Sequence, residues 1–266
     1  QFAIRNSQFA IRNSQFAIML GFILAAGLGT RLRPLTDERP KALVQWRGKP
    51  MIAWVVERLA AAGIGHIVVN AHHFSEQMRT FVAEYRCKWG TKLYLSDESA
   101  QLLDTGGALV GASDLLGELA VRYGEGRVLV HNADVYTDVD LQQMEQLHTQ
   151  QQHAATLLCQ RREGRRQLLF ASGQLCGRIP APEGQAAAPS HAEALAFCGV
   201  QIIEWSEWAH LPEEKYPFSI IDWYLQRAKD GARIAPMLLT AEQKWFDLGK
   251  VESLIEAAQS VDLREG

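Results

Sequence analysis

The chain is short of the features that would place it in several large classes. Its four cysteines, Cys87, Cys159, Cys176 and Cys198, form no C-x-x-C pair, so neither a zinc site nor a disulfide framework is expected, and a reduced, cytoplasmic setting fits best. Positive charge is not in surplus. The formal net charge is −3, and residues 1–18 hold Arg5 and Arg12 with no acid, so the remainder is more acidic still. Nucleic acid is therefore not an expected partner. The most apolar stretch, AIMLGFILAAG, follows those arginines as a secretion signal would, yet it has core-strand length and runs straight into a glycine loop. Neither a leader nor a membrane span is expected. Two nucleotide motifs are also missing: no Gly-Lys-Ser/Thr follows the glycines, and the third glycine of GxGxxG is absent.

Residues 1–18 read QFAIRNS, QFAIRNS, QFAI, a perfect repeat that no domain of this size needs. They are expected to be a disordered appendage, leaving Met19 as the natural start and residues 19–266 as one domain with a substantial core.

What is present begins with residues 21–43, GFILAAGLGTRLRPLTDERPKAL. An apolar strand predicted over 22–26 empties into Gly27-Leu28-Gly29-Thr30-Arg31, where small residues let backbone N–H groups approach an anion. Pro34, Thr36, Asp37 and Pro40 supply turn chemistry that folds the chain back and returns Lys41 toward the strand end. Arg31 and Lys41 are both expected to be exposed loop cations.

Further along, the spacing predicts a helix over 50–62, a buried strand over 66–70, a helix over 75–85 capped by Ser75, and a strand over 91–96. That βαβαβ order implies an α/β fold: a Rossmann-like mixed, mainly parallel sheet sandwiched by helices. A second glycine-rich turn, Leu103-Asp104-Thr105-Gly106-Gly107, opens another helix. In an open α/β sheet it should face the first glycine turn, although Asp104 or Thr105 could simply cap that helix. A strand over 127–131 leads into Asn132-Ala133-Asp134, with Asp138 and Asp140 as candidate caps of the next helix. Strands are read in TLLCQ, RQLLFAS, QLCGRI and AFCGVQII, with Ser172-Gly173 as a hairpin turn. Residues 180–192 read as a loop, 218–229 as a helix, and KWFDLG as a strand end before a last helix. Asp247, in that strand end, could by itself be another helix cap. His72-His73 resembles a metal pair, but neighbours at a strand exit point to opposite faces.

Taken together, the glycine loop with Arg31 and Pro40-Lys41, the L-x-T-G-G turn, Asn132-x-Asp134, Phe197-Cys198-Gly199 and Trp245-x-Asp247-x-Gly249 closely resemble the signature of sugar-phosphate nucleotidyltransferases of the glucose-1-phosphate thymidylyltransferase-like fold. The resemblance covers essentially residues 19–259. It implies that the chain forms a nucleoside-diphosphate sugar and pyrophosphate from a nucleoside triphosphate and a sugar 1-phosphate. It further implies that Asp134 and Asp247 bind Mg2+, that Arg31, Lys41 and Asp134 are catalytic, and that Ala26, Gly27, Gly29, Thr30, Arg31, Lys41, Asp104, Gly106 and Gly107 contact the nucleotide. Asn132 and Gly199 match sugar-contacting positions. No hexapeptide repeats follow, so a C-terminal β-helix is not expected.

Among members, the chain is most similar to short enzymes that join UTP to N-acetylmuramate 1-phosphate in peptidoglycan recycling; mannose 1-phosphate guanylyltransferases and phosphocholine cytidylyltransferases share most of the motifs. A muramate carries a lactyl carboxylate, and a bidentate arginine is its natural partner. Within the local excess formed by Arg161, Arg162, Arg165, Arg166 and Arg178, either Arg165 or Arg166 is expected to read it, although most such clusters are solvated faces. An inactive nucleotide-sugar-binding homologue would typically lose the loop cations or the metal acids, and all four are present.

Overall fold

A computed structural model describes residues 19–261 except 88, 125, 165, 182–187, 214 and 215. The repeat and Arg165 lie outside the described residues, and so does part of the 180–192 loop. Strand β1 (Leu20–Leu24) runs between β4 (His66–Ala71) and β6 (Arg127–Asn132), parallel to both, and β5 (Lys92–Asp97) extends the parallel core beyond β4. Two short hairpin strands, β2 (Gln45–Trp46) and β3 (Lys49–Pro50), precede the first helix. Strand β11 (Glu193–Glu204) lies antiparallel to β6, to β8 (Ala155–Gln160) and to β9 (Gln167–Ala171), which pairs with β10 (Gln174–Ile179). Strand β12 (Ile234–Leu238) adds to β8. This is the anticipated mixed α/β sheet.

Alternation along the strands splits the core in two. On one face Ile23, Ile67, Val69 and Leu129 pack with α1 (Met51–Ala61), α2 (Ser75–Glu84) and α4 (Leu141–Gln150). On the other, Phe22, Val68, Val128 and Val130 pack under α3 (Asp104–Tyr123) and α5 (Ile220–Lys229). A third cluster, containing Leu32, Trp46, Tyr136, Leu248 and Leu254, ties the glycine loop to α6 (Val251–Ser260). It is pinned by the Trp46 indole donating to Leu254 O at 3.0 Å. Among the described residues no helix is long and apolar enough to cross a membrane.

Several local expectations change in the folded chain. The strand predicted over 22–26 leaves the ladder after Leu24, because the Ala25 N–H donates to the Asn70 side chain at 2.6 Å instead of to a strand. Ser75 is not a cap: the N-cap is Phe74, in a left-handed conformation (φ 54°), and Ser75 is the first helical residue. Asp140 caps α4 through the Gln142 and Gln143 N–H groups. Asp138 instead accepts the Lys244 N–H at 2.7 Å. The 135–137 part of the acidic stretch, read as loop, is strand β7 (Val135–Thr137), paired antiparallel with β13 (Trp245–Asp247). Strand β13 is the strand end read in KWFDLG, whereas β7 is too short for its periodicity to be visible before its partner is known.

Candidate active site

The carboxyl ends of β1 and β6 and the β7–β13 ribbon converge on one edge of the sheet. Gly29 turns the loop with φ 67°, and a Cβ there would lie 2.9 Å from the Lys41 Cβ and from a Thr36 methyl, so the return segment can close over it only if residue 29 is glycine. The Thr36 hydroxyl fastens the turn by donating to Gly29 O at 2.9 Å. Thr30–Leu32 then forms a single 3-10 turn that presents Arg31 to the outside and buries Leu32. Gly27 is exposed, with open space around it, as backbone that must approach an anion should be.

The ribbon brings the acids in. Asp247 stands opposite Val135, and the Leu248 N–H donates to Asp134 O at 2.8 Å, so the two aspartates come from neighbouring positions on paired strands. Asp134 forms an ion pair with Lys41, and Asp247 lies 3.8 Å from the Arg31 guanidinium. Three of the four charges crowd Gly249, for a Cβ there would meet Asp247 Oδ1 at 2.6 Å, Lys41 Nζ at 2.7 Å and Arg31 Nη2 at 2.8 Å, and Asp134 joins them through its ion pair with Lys41. The motif signalled Gly249, but its steric role requires the fold. One expectation is corrected here. Arg31 is exposed (55%), whereas Lys41 is only 12% exposed, drawn inward by Asp134.

Two adjacent carboxylates are hard oxygen donors of the kind magnesium takes, and no third His, Cys, Asp or Glu joins them among the described residues to complete a protein cage. A magnesium ion that keeps water and phosphate oxygens fits such a pair. Neither His72 nor His73 belongs to a group of three or more metal-ligating side chains among the described residues.

Beside the charges opens a cavity of about 610 Å³ bordered by Leu24, Asp104, Asn132, Arg166, Arg178 and Gln201. Asp104, in the second glycine turn, and Asn132, at the end of β6, therefore line one space. Gly199 (φ 75°) lets Asn132 stand there, for a Cβ would lie 2.6 Å from the Asn132 Nδ2. Gly106 and Gly107 answer to packing: side chains would strike the Phe218 ring at 2.3 Å and Tyr216 O at 2.4 Å, and the Gly106 N–H is spent on Phe218 O. Neither Asp104 nor Thr105 is a side-chain N-cap of α3. The Asp104 carboxylate accepts from the Thr105 N–H at 2.6 Å, and the Thr105 hydroxyl accepts from Ile220 N.

The arginine cluster is dispersed. Arg161 pairs with Glu193, Arg162 lies over the Trp245 ring, and Arg178 pairs with Asp222 at 2.6 Å on the cavity wall, leaving Arg166 at the rim. Arg178 belongs to the arginine excess already noted, whereas Gln201 is a cavity residue that no local pattern marks.

Beneath the loop, Asn70 accepts from Ala25 N and donates to the buried Glu98 carboxylate at 2.9 Å. Burial raises the Glu98 pKa, opposed by the Asn70 hydrogen bond. This pair joins the exit of β1 to the segment that leads into α3.

Residues 20–169 match the nucleotidyl transferase family model. The chain is 42% identical over 116 residues to the N-acetylmuramate alpha-1-phosphate uridylyltransferase of Caulobacter vibrioides, covering 43% of this chain and 45% of that protein. It is 40% identical over 130 residues to the mannose-1-phosphate guanyltransferase of Hypocrea jecorina, covering 49% and 34%. The matched stretches thus span less than half the length of these relatives. In three dimensions, a Bacillus anthracis protein assigned as a glucose-1-phosphate thymidylyltransferase and solved with a sucrose superposes with a TM-score of 0.70 at 21% identity, covering 92% of this chain and 97% of that one. That likeness speaks for the fold.

Proposed function

The chain belongs to the nucleotidyl transferase family, and on that premise we propose that it is a magnesium-dependent nucleotidyltransferase that joins UTP to N-acetylmuramate 1-phosphate, releasing pyrophosphate. The observation that carries the reaction class is the convergence of Arg31, Lys41 and Asp247 around Gly249, with Asp134 paired to Lys41.

The chemistry asks little of a general base. A phosphate monoester has a second pKa near ~6, so the sugar phosphate oxygen is already an anion at neutral pH. It attacks the α-phosphorus of the nucleotide, the bond from that phosphorus to the β-bridging oxygen breaks, and pyrophosphate departs with the electron pair. The obstacle is the meeting of two anions, and positioning with charge neutralisation removes it. The loop N–H groups and Arg31 would hold the β- and γ-phosphates and stabilise the leaving group. Lys41 would act as a point charge beside the α-phosphate. Asp134 and Asp247 would hold the magnesium ion, which supplies further neutralisation of phosphate charge. The cavity beside them would take the sugar, with Asn132, backed by Gly199, in its wall and Arg166 at its rim to meet the lactyl carboxylate.

The similarity to a mannose-1-phosphate guanyltransferase at 40% identity supports a second reading in which the pair is GTP and mannose 1-phosphate. Pyrophosphate release across a panel of nucleotides and sugar 1-phosphates decides. The expected outcome is the highest kcat/KM for UTP with N-acetylmuramate 1-phosphate. A maximum for GTP with mannose 1-phosphate would overturn the substrate assignment, and no release from any pair would overturn the reaction class.

A further inference from the structure

One polar side chain in the cavity wall has no role in the reading above. Val68, Phe22, Val130, Gln201, Leu157 and Pro236 stand side by side across the sheet, each in register with the next. The row faces the apolar core under α3 and α5, and Gln201 is its one polar member. Gln201 is 2% exposed, and its Oε1 has no hydrogen-bond partner. A buried acceptor left unpaired is destabilising, and an apolar side chain of the same shape would avoid that cost. An orphan atom of this kind calls for a partner outside the fold.

Its position indicates which partner. The β6–β11 register sets Gln201 opposite Val130, diagonal to Asn132 on the same face. Both border the 610 Å³ cavity. The other uncharged polar side chains of that wall for which bonds are known are occupied within the protein: the Thr105 hydroxyl accepts from Ile220 N, and the Ser219 hydroxyl caps α5. The cations that suit phosphates lie on the neighbouring loop. Gln201 instead stands at the core end of the cavity, where a sugar ring rather than its phosphate would reach.

We propose that Gln201 is a specificity-determining residue whose buried carboxamide oxygen accepts a hydrogen bond from a donor on the sugar ring, a hydroxyl or an acetamido N–H. The inference rests on the nucleotidyltransferase reading and names the group that selects the sugar. A site built around a buried hydrogen bond rejects a substrate lacking the donor far more strongly than a methylene-sized mismatch does, because the protein atom is then stranded.

The test compares the preferred sugar 1-phosphate with analogues lacking one donor each, with hydrogen replacing a single hydroxyl or the acetamido group, in wild type and in Gln201→Met. In wild type, loss of one particular donor is expected to lower kcat/KM by more than about 200-fold, the ceiling for a methylene-sized difference. In Gln201→Met that ratio should fall toward one, with the KM for the nucleotide unchanged and the melting temperature equal or higher. A ratio that persists in the variant would overturn the role of Gln201 while leaving the reaction intact. The wild-type series also stands alone should the variant fail to fold: if every analogue turns over within a few-fold of the parent, no ring donor is being read and the proposal falls. Absence of pyrophosphate release with every sugar 1-phosphate would instead remove the underlying reading, and this proposal with it.

Discussion

Lys41 and Asp134, 93 residues apart in the chain, form an ion pair at the carboxyl edge of the sheet, with side chains only 12% and 22% exposed. The glycine loop and the segment carrying Asp134 are thereby joined by the charges proposed to handle metal and substrate. Lys41→Ala should accordingly lose stability as well as turnover, by about 1.5–3 kcal/mol, the range for a charge-assisted hydrogen bond. Arg31→Ala should cost at most about 1 kcal/mol, because its 3.8 Å pair with Asp247 is solvent-exposed. Urea denaturation beside a pyrophosphate assay checks this; equal stability losses in the two variants would contradict the asymmetry.

Asp134→Ala and Asp247→Ala should each lower kcat by about 10²-fold or more, as loss of a principal electrostatic stabiliser does. EDTA should abolish turnover, and added magnesium should restore it. Full activity in either variant would remove that aspartate from the metal site.

Gly249→Ala is the sharpest steric probe. The new methyl would collide with Asp247 Oδ1 and with the mobile ends of Lys41 and Arg31. The atoms it meets are side-chain ends, so the denaturation midpoint should fall by less than in Lys41→Ala. The charges themselves would be displaced by an ångström or so, and turnover should drop about 10²-fold. Retained activity would mean that the charges around Gly249 do not need their present arrangement.

A pH effect on stability is expected away from the site. His153 is buried, its Nδ1 is bonded to the Thr156 hydroxyl at 2.9 Å, and burial lowers its pKa to about 4, helped by Arg233 and His148. The folded chain therefore keeps it neutral where the unfolded chain, with an ordinary value of 6.5, takes up a proton. Its contribution is intact above pH 6.5 and is lost progressively as pH falls toward about 4, at a slope approaching ~1.4 kcal/mol per pH unit. Urea midpoints between pH 4 and 7 should show part of this slope missing in His153→Gln. An identical slope in both proteins would assign the effect to other groups.

Much of the architecture could be read in the sequence because local signals agree with the fold. Apolar runs of strand length alternate with helical periodicity, so the parallel core and its order were legible from residues 22–131. The glycine loop, Asp134 and Asp247 could be found because each sits in a short contiguous motif at a strand end.

Tertiary structure decided whatever depends on who stands next to whom. Lys41 reads as an exposed loop cation until Asp134 draws it inward. Ser75 reads as a cap until Phe74 takes the left-handed position. Gly106 and Gly107 read as a turn that approaches a ligand, and only the fold shows residues 216–218 packed where their side chains would stand. The arginine run reads as one cluster until Glu193, Trp245 and Asp222 divide it. The β7–β13 ribbon and the place of Gln201 in an apolar row arise from register between distant strands. A linear pattern carries periodicity and turn chemistry; it does not carry the partner across a ladder, and that partner determines both the burial of a charge and the cost of an unpaired amide.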